Sequence, residues 1–200
     1  MNSVLTSLAF MYVTLMPVIF AGIFNMVICK LPILGLLKKP MDAGKNFTDG
    51  RRIFGDNKTW KGFAGYLFLG TLMTVLWGFV CKAAPALQNH DFFYLEHENT
   101  IVFNLLTGLL VGFAYALFEL PNSFLKRRLG IEPGKTMKGW QKVLFVFLDQ
   151  ADSIFGCVLV VCLFHPLPVW FYFVYVIVGA VTHIFFNMLL YFAHLRKNMF

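Results

Sequence analysis

The sequence predicts an all-α integral membrane protein. It has five transmembrane helices, an outside N-terminus, a cytoplasmic C-terminus and two large cytoplasmic loops. Three observations carry this. The 200 residues are 58% hydrophobic and 18% aromatic, with 24 Phe, but only 14% charged; a soluble domain carries about 25% charge. Five stretches stay apolar for the roughly 20 residues a spanning helix needs. All but one of the 17 basic residues fall in alternate connections and the tail, the sidedness that marks cytoplasm.

The first span is Val4–Cys29. It lacks a basic leader, its apolar run is long, and no small-x-small site follows, so it reads as a resident helix and not a cleaved signal. The loop Lys30–Lys61 holds Lys30, Lys38, Lys39, Lys45, Arg51, Arg52, Lys58 and Lys61. The second span, Gly62–Cys81, leads to a connection with only Lys82 beside Asp91, Glu96 and Glu98. The third, Ile101–Leu120, leads to Pro121–Lys142, with Lys126, Arg127, Arg128, Lys135, Lys138 and Lys142. The fourth is Val143–Phe164, followed by the uncharged step His165–Leu167. The fifth, Pro168–His194, is long enough to tilt, and the tail adds Arg196 and Lys197. A single membrane domain over 1–200 is expected. Cys29, Cys81, Cys157 and Cys162 form no C-x-x-C and read as small buried hydrophobes.

The most costly residues lie in Leu148–Gly156, LDQADSIFG. An Asp at the centre of a spanning helix costs about 2.5–3.5 kcal/mol on insertion scales. Asp149 and Asp152 stand three apart, on one helix face, and repel. A bound divalent cation removes both problems. The competing reading pairs the acids with a basic residue on a neighbouring helix or leaves them at the water boundary. With the fourth span starting near Val143, Asp149 lies about 9 Å in and Asp152 about 13 Å by helical rise, both in the cytoplasmic half of a ~30 Å core.

The two basic loops carry related motifs, GRRIFGDNKTWKGF at Gly50–Phe63 and KRRLGIEPGKTMKGW at Lys126–Trp140. Both run Arg-Arg, an apolar residue, a Gly turn with an acid, then Lys-Thr-x-Lys-Gly-aromatic, and each enters a span. They read as a degenerate repeat of span–loop–span. Superposing Gly62 on Gly139 sets Asp149 opposite Leu72 and Asp152 opposite Val75. The acids thus exist in one half only, which favours one reaction centre over a symmetric transport path. Gly55 permits a tight turn with backbone N–H groups near an anion. Lys58 supplies charge and Thr59 a hydroxyl, and the following helix aims its positive end there. This reads as a phosphate grip, although the Walker spacing is absent. For Arg51-Arg52 and Lys126-Arg127-Arg128 the competing reading is attraction to anionic lipid headgroups. Asp42, Asp49 and Asp56 are available as further ligands or as ordinary turn acids.

Asn25, Asn104 and Thr107 read as hydrogen bonds between helices. His183 and Asn187, four apart on the last span, either touch the site or act as polar glue. Glu119 reads as a helix-end acid at the interface. Few small-xxx-small seams indicate where the helices pack.

GDNKTWKG, then ELPNSFLKRRLGI, LDQADS and THIFFN, from Gly50 to Asn187, resemble the CDP-archaeol synthase family of CTP-dependent lipid-phosphate cytidylyltransferases. The Ser123–Arg127 run and the Asp149-x-x-Asp152 pair are distantly similar to the phosphatidate cytidylyltransferase signature, without its Lys-Asp and His-Gly-Gly. The resemblance implies transfer of CMP from CTP to a lipid phosphomonoester, archaeol-type ether phosphate or phosphatidic acid, with Mg²⁺ as cofactor and pyrophosphate released. It implies that Asp149 and Asp152 hold the metal. Gly55, Asp56, Asn57, Lys58, Thr59 and Lys61 then bind the nucleotide phosphates, with Lys58 taking part in catalysis. Asn122, Ser123, Lys126 and Arg127 receive the lipid phosphate. A lipid phosphate dianion needs no general base. The partners are CTP, the lipid phosphate and the bilayer of the plasma membrane, with a homodimer open and no nucleic acid. A CDP-alcohol phosphatidyltransferase fits poorly, because Asp49-Gly50-Arg51-Arg52 begins its motif and then stops matching. A small cation transporter or channel using the acids lacks polar residues in the outer halves of the spans.

Overall fold

The computed structural model describes residues 2–135, 137 and 139–194. Thr136, Lys138, Arg196 and Lys197 of the basic motifs and tail lie outside the described residues. Among the described residues, five helices are long and apolar enough to cross a membrane. They are α1 (Asn2–Lys30), α2 (Trp60–Ala83), α4 (Ile101–Arg128), α5 (Gln141–Phe164) and α6 (Val169–Phe192), with a single turn, α3 (Pro85–Gln88), after α2. The sequence-derived spans overlap these, with one consequential difference. α4 does not stop at Leu120; it continues through Pro121 to Arg128. Proline usually repels a helix from the residue before it, but in a bundle neighbouring groups satisfy the carbonyl it frees. Asn122, Ser123, Lys126 and Arg127, expected on a loop, are therefore helical.

Local chemistry sets the ends. Thr59 caps α2, its Oγ1 accepting the Gly62 N–H at 3.2 Å, and Thr100 caps α4 by accepting the Phe103 N–H at 3.2 Å. Lys61 Nζ donates to the Leu31 carbonyl at 2.8 Å, satisfying the chain as it leaves α1.

α2 and α4 meet through a seam that the sequence reading passed over, Gly108-x-x-x-Gly112 against Gly70. A Cβ on Gly112 would fall 2.3 Å from the Tyr66 carbonyl oxygen, and one on Gly70 would fall 2.8 Å from Gly112 Cα. Such backbone approach is what small residues permit in membranes. α5 packs on α4 with Gly156 against Phe118, and α6 packs on α5 with Gly179 against Ile154. α6 meets α1 through the Tyr175 hydroxyl, which donates to the Met11 carbonyl at 2.8 Å, and a Tyr12–Thr182 hydroxyl contact of 3.0 Å.

At the end away from the basic loops, Asn104 donates to Asn99 at 2.8 Å, Asn99 donates to the Gly78 carbonyl at 2.8 Å, and Tyr94 donates to Asn104 at 2.9 Å. Asn25 joins α1 to α2 by donating to the Gly62 carbonyl at 3.2 Å. Thr107 differs from expectation: its hydroxyl donates back to its own helix, at Phe103 O, 2.9 Å away.

The two basic loops are tied together. Arg51 Nη1 donates to the Arg128 carbonyl, and Arg128 Nη2 donates to the Arg51 and Arg52 carbonyls. Arg128 also pairs with Asp49 at 3.0 Å and lies 4.6 Å over the Phe124 ring. Arg51 and Arg128 thus join loop to helix end.

Candidate active site

The unbroken α4 puts Glu119, Asn122 and Lys126 on one face, at spacings of three and four. α5 presents Asp149 and Asp152 to that face. Asn122 Nδ2 donates to Asp149 Oδ1 at 2.7 Å and to Asp152 Oδ2 at 2.8 Å. Lys126 pairs with Asp149, and Asp152 also accepts the Ser153 N–H at 2.6 Å. Lys58, at the entry to α2, pairs with Glu119. Burial alone would depress the Lys58 ammonium, but Glu119, and beyond it Asp152 and Asp149, hold its pKa above the ordinary value. The site is thus three carboxylates answered by two ammonium groups and one amide.

These side chains line the polar end of a cavity of about 570 Å³. Its apolar length follows the α1–α6 junction, past Leu15, Val18 and Ile19 on one side and Val178 and Phe186 on the other. A second cavity of about 530 Å³ lies toward α2 and includes Asn25, Cys29, Lys38 and Lys61. Lys58 and Glu119 line both, so the pair stands in a shared wall.

Not every sequence-derived site residue reaches the acids. Asn57, Lys58, Asn122, Ser123, Lys126, Arg127, Asp149 and Asp152 line the larger cavity. Thr59 lines only the second cavity and its hydroxyl is engaged as the α2 cap. Lys61 is 2% exposed and held by backbone carbonyls. Asp56 is on the surface, paired with Arg52 at 2.8 Å. Gly55 gives its N–H to Asp42 at 2.9 Å. His183 and Asn187 do line the cavity, and both also reach Gln150: Asn187 donates to its side chain, and His183 Nδ1 lies 3.2 Å from its carbonyl.

Two acids take roles that spacing alone does not carry. Glu119 is not at the end of its helix, because α4 continues to Arg128, and it is the partner of Lys58. Of the two readings open for Asp42, the turn acid holds, and it is also the organiser of the first basic loop. Its side chain is fully buried. It accepts from Arg52 Nη2 at 2.7 Å and Nε at 3.2 Å, and from the N–H groups of Gly55, Phe54 and Gly44. Burial pushes its carboxyl up, but Arg52 and these three N–H groups together hold it well below the usual carboxylate range. The Asp42–Gly44 contact is an Asx turn, the one signal in the sequence that marks it.

The donor set fits a hard cation. The Asp149 and Asp152 oxygens converge on one amide, and turning that amide over presents Asn122 Oδ1 as a third oxygen. Among the described residues no group of three or more His, Cys, Asp or Glu forms a metal cage. Two carboxylates and a side-chain amide are oxygen donors of the kind Mg²⁺ takes, since it binds one or two carboxylates and keeps its other positions for water and substrate phosphates.

A family profile described as CarS-like, CDP-archaeol synthase, matches residues 2–200. The chain belongs to this family. A CDP-archaeol synthase of Pyrococcus furiosus is 34% identical over 152 residues, 76% of this chain and 78% of that one. Another, of Methanoculleus marisnigri, is 34% identical over 129 residues, 64% of this chain and 65% of the relative's length. A solved structure, described as an intramembrane enzyme for archaeal membrane lipids biosynthesis, superposes with a TM-score of 0.57. It covers 88% of this chain and 92% of its own at 21% identity, which supports the fold. The protein is a multi-pass membrane protein.

Proposed function

We propose that the protein transfers CMP from CTP to an archaeol-type lipid phosphate, giving CDP-lipid and pyrophosphate. The observation that carries this is one cavity with a carboxylate–ammonium cluster at its polar end and an apolar length along α1 and α6. The phosphates of the nucleotide and the lipid need a polar, charged surrounding and the lipid chains an apolar one, and this cavity has both. The relatives named for CDP-archaeol synthesis support the ether lipid over phosphatidic acid. The charge sidedness supports placing the basic end on the cytoplasmic side of the cell membrane.

In this reading Asn122, Ser123 and Lys126 receive the lipid phosphate. Lys58 neutralises the nucleotide's phosphates from the loop, and Glu119 keeps its ammonium aimed across the cavity wall. Asp149 and Asp152, with the Asn122 amide turned, are the residues that would hold Mg²⁺. When bound, it supplies charge stabilisation for the phosphates. A lipid phosphate oxygen bonds to the α-phosphorus and the bond to the β-phosphate oxygen breaks, its electron pair leaving with pyrophosphate. Charge balances without a proton, so positioning and neutralisation are the protein's work.

The test is CTP turnover by purified protein with archaeol-type phosphate and phosphatidic acid in parallel. CDP-lipid and stoichiometric pyrophosphate are expected, fastest with the ether lipid. Absence of CTP turnover with both lipids would refute the reading.

A further inference from the structure

One cation near the site lacks an answer. Arg127 is 6% exposed, and neither its Nε nor its Nη1 has an acceptor among the described residues. The surrounding acids are engaged elsewhere: Asp42 and Asp56 with Arg52, Asp49 with Arg128, Glu132 with Lys135, and Asp149 with Lys126. Two buried guanidinium nitrogens without an acceptor are unfavourable until an anion reaches them. The Gly55 turn lies against the guanidinium. Gly55 has φ +99°, and a Cβ there would lie 2.8 Å from Pro133 Cγ and 3.5 Å from Arg127 Nη1. The collision would be with Pro133, while the contact with the guanidinium would be ordinary, so the glycine is what sets the Gly55 and Pro133 turns together beside Arg127.

The anion is identified by direction. Consecutive helical residues point about 100° apart. Lys126 turns to Asp149, in the membrane-embedded centre. Arg127 turns to the Gly55 and Pro133 turns of the basic end, where the cavity also meets Asn57, Gly134 and Lys135. The attacking and leaving oxygens stand on opposite sides of the α-phosphorus. A lipid attacking from the α1–α6 side therefore puts the pyrophosphate leaving group of CTP at the basic end. We propose that Arg127 binds the β- and γ-phosphates of CTP, and the pyrophosphate they become, in place of the lipid phosphate expected from sequence. It neutralises the charge that builds on the β-phosphate oxygen as its bond to the α-phosphorus breaks. This rests on the cytidylyltransferase reading.

The experiment titrates pyrophosphate with Mg²⁺, and separately a short-chain lipid phosphate, into purified protein by calorimetry, without CTP. Steady-state KM values accompany it. Hydrogen bonds to charged groups predict a loss of about 10- to 100-fold in pyrophosphate affinity for Arg127→Gln. KM for CTP rises in parallel, and KM for lipid phosphate stays within about twofold. Arg127→Lys keeps the charge without the fork; it recovers part of the affinity and decides the matter if the Gln variant does not fold. Unchanged pyrophosphate binding in Arg127→Lys and in any folded Gln variant overturns the proposal, as does a loss confined to the lipid phosphate. Wild-type protein that binds pyrophosphate but turns over no CTP would instead refute the cytidylyltransferase reading, leaving Arg127 as a polyphosphate site.

Discussion

Asp42→Asn should disorder the first basic loop while leaving the helices in place. The Asp42 carboxylate is the common acceptor for Arg52 and for the backbone of Gly44, Phe54 and Gly55. Removing one side of a buried pair costs about 3–5 kcal/mol. Arg52 retains Asp56 and the Asn side chain retains one oxygen, so about 2–3 kcal/mol of local stability is the expected loss. That is a shift of about 30- to 150-fold in the order of the loop. Trypsin cleavage after Arg51 or Arg52 should accelerate by that factor, and KM for CTP should rise because Lys58 follows the same turn. Asp42 has a depressed native pKa, so its contribution is complete at neutral pH. It begins to fall below the unfolded value of about 3.9 and is lost as pH falls through the native one. Wild-type loop protection should therefore persist at pH 5 and weaken in stronger acid, whereas the Asn variant shows no such step. Wild-type-like proteolysis in Asp42→Asn would refute the argument that this carboxylate organises the loop.

Asp149→Asn and Asp152→Asn should each abolish turnover while melting like a folded protein; Mg²⁺-dependent CDP-lipid formation by both would remove the metal assignment. Lys58→Ala should raise KM for CTP at least about tenfold or stop turnover, and unchanged kinetics would exclude Lys58 from nucleotide binding. Gly112→Ala, whose Cβ would fall on the Tyr66 carbonyl, should cost about 1–3 kcal/mol in a detergent melt, and an unchanged melting temperature would contradict the close seam. At the far end, burial pushes the Asp91 carboxyl up to about 6. Its ionisation therefore lowers stability as pH rises from about 4 through 6, by about 3 kcal/mol in all. Asp91→Asn should flatten that slope in thermal melts, and an unchanged slope would acquit Asp91.

The spans and the acid pair were legible because both are departures from composition: long apolar runs, and charge where charge is costly. The site's assembly was less so. Pro121 suggests an end to α4, yet a bundle can satisfy the freed carbonyl, and only the continued helix aligns Glu119 with Asn122 and Lys126. Lys61 and Thr59 stand in a convincing phosphate motif but are engaged by the α1 exit and the α2 cap. Their roles depend on what folds beside them, which spacing does not carry. Gly108 and Gly112 did have a readable spacing; what was missing was Gly70, their counterpart on another helix.

In the proposed reading, a lipid lying along the apolar α1–α6 length of the cavity arrives within the plane of one leaflet. The governing variable for such a substrate is its mole fraction among the surrounding lipids, not its bulk molarity. Diluting the substrate with inert lipid at constant total amount should then slow the enzyme, while diluting the whole suspension in buffer should not. CTP follows the opposite rule, so the two substrates report on the cavity's two ends through different kinds of concentration.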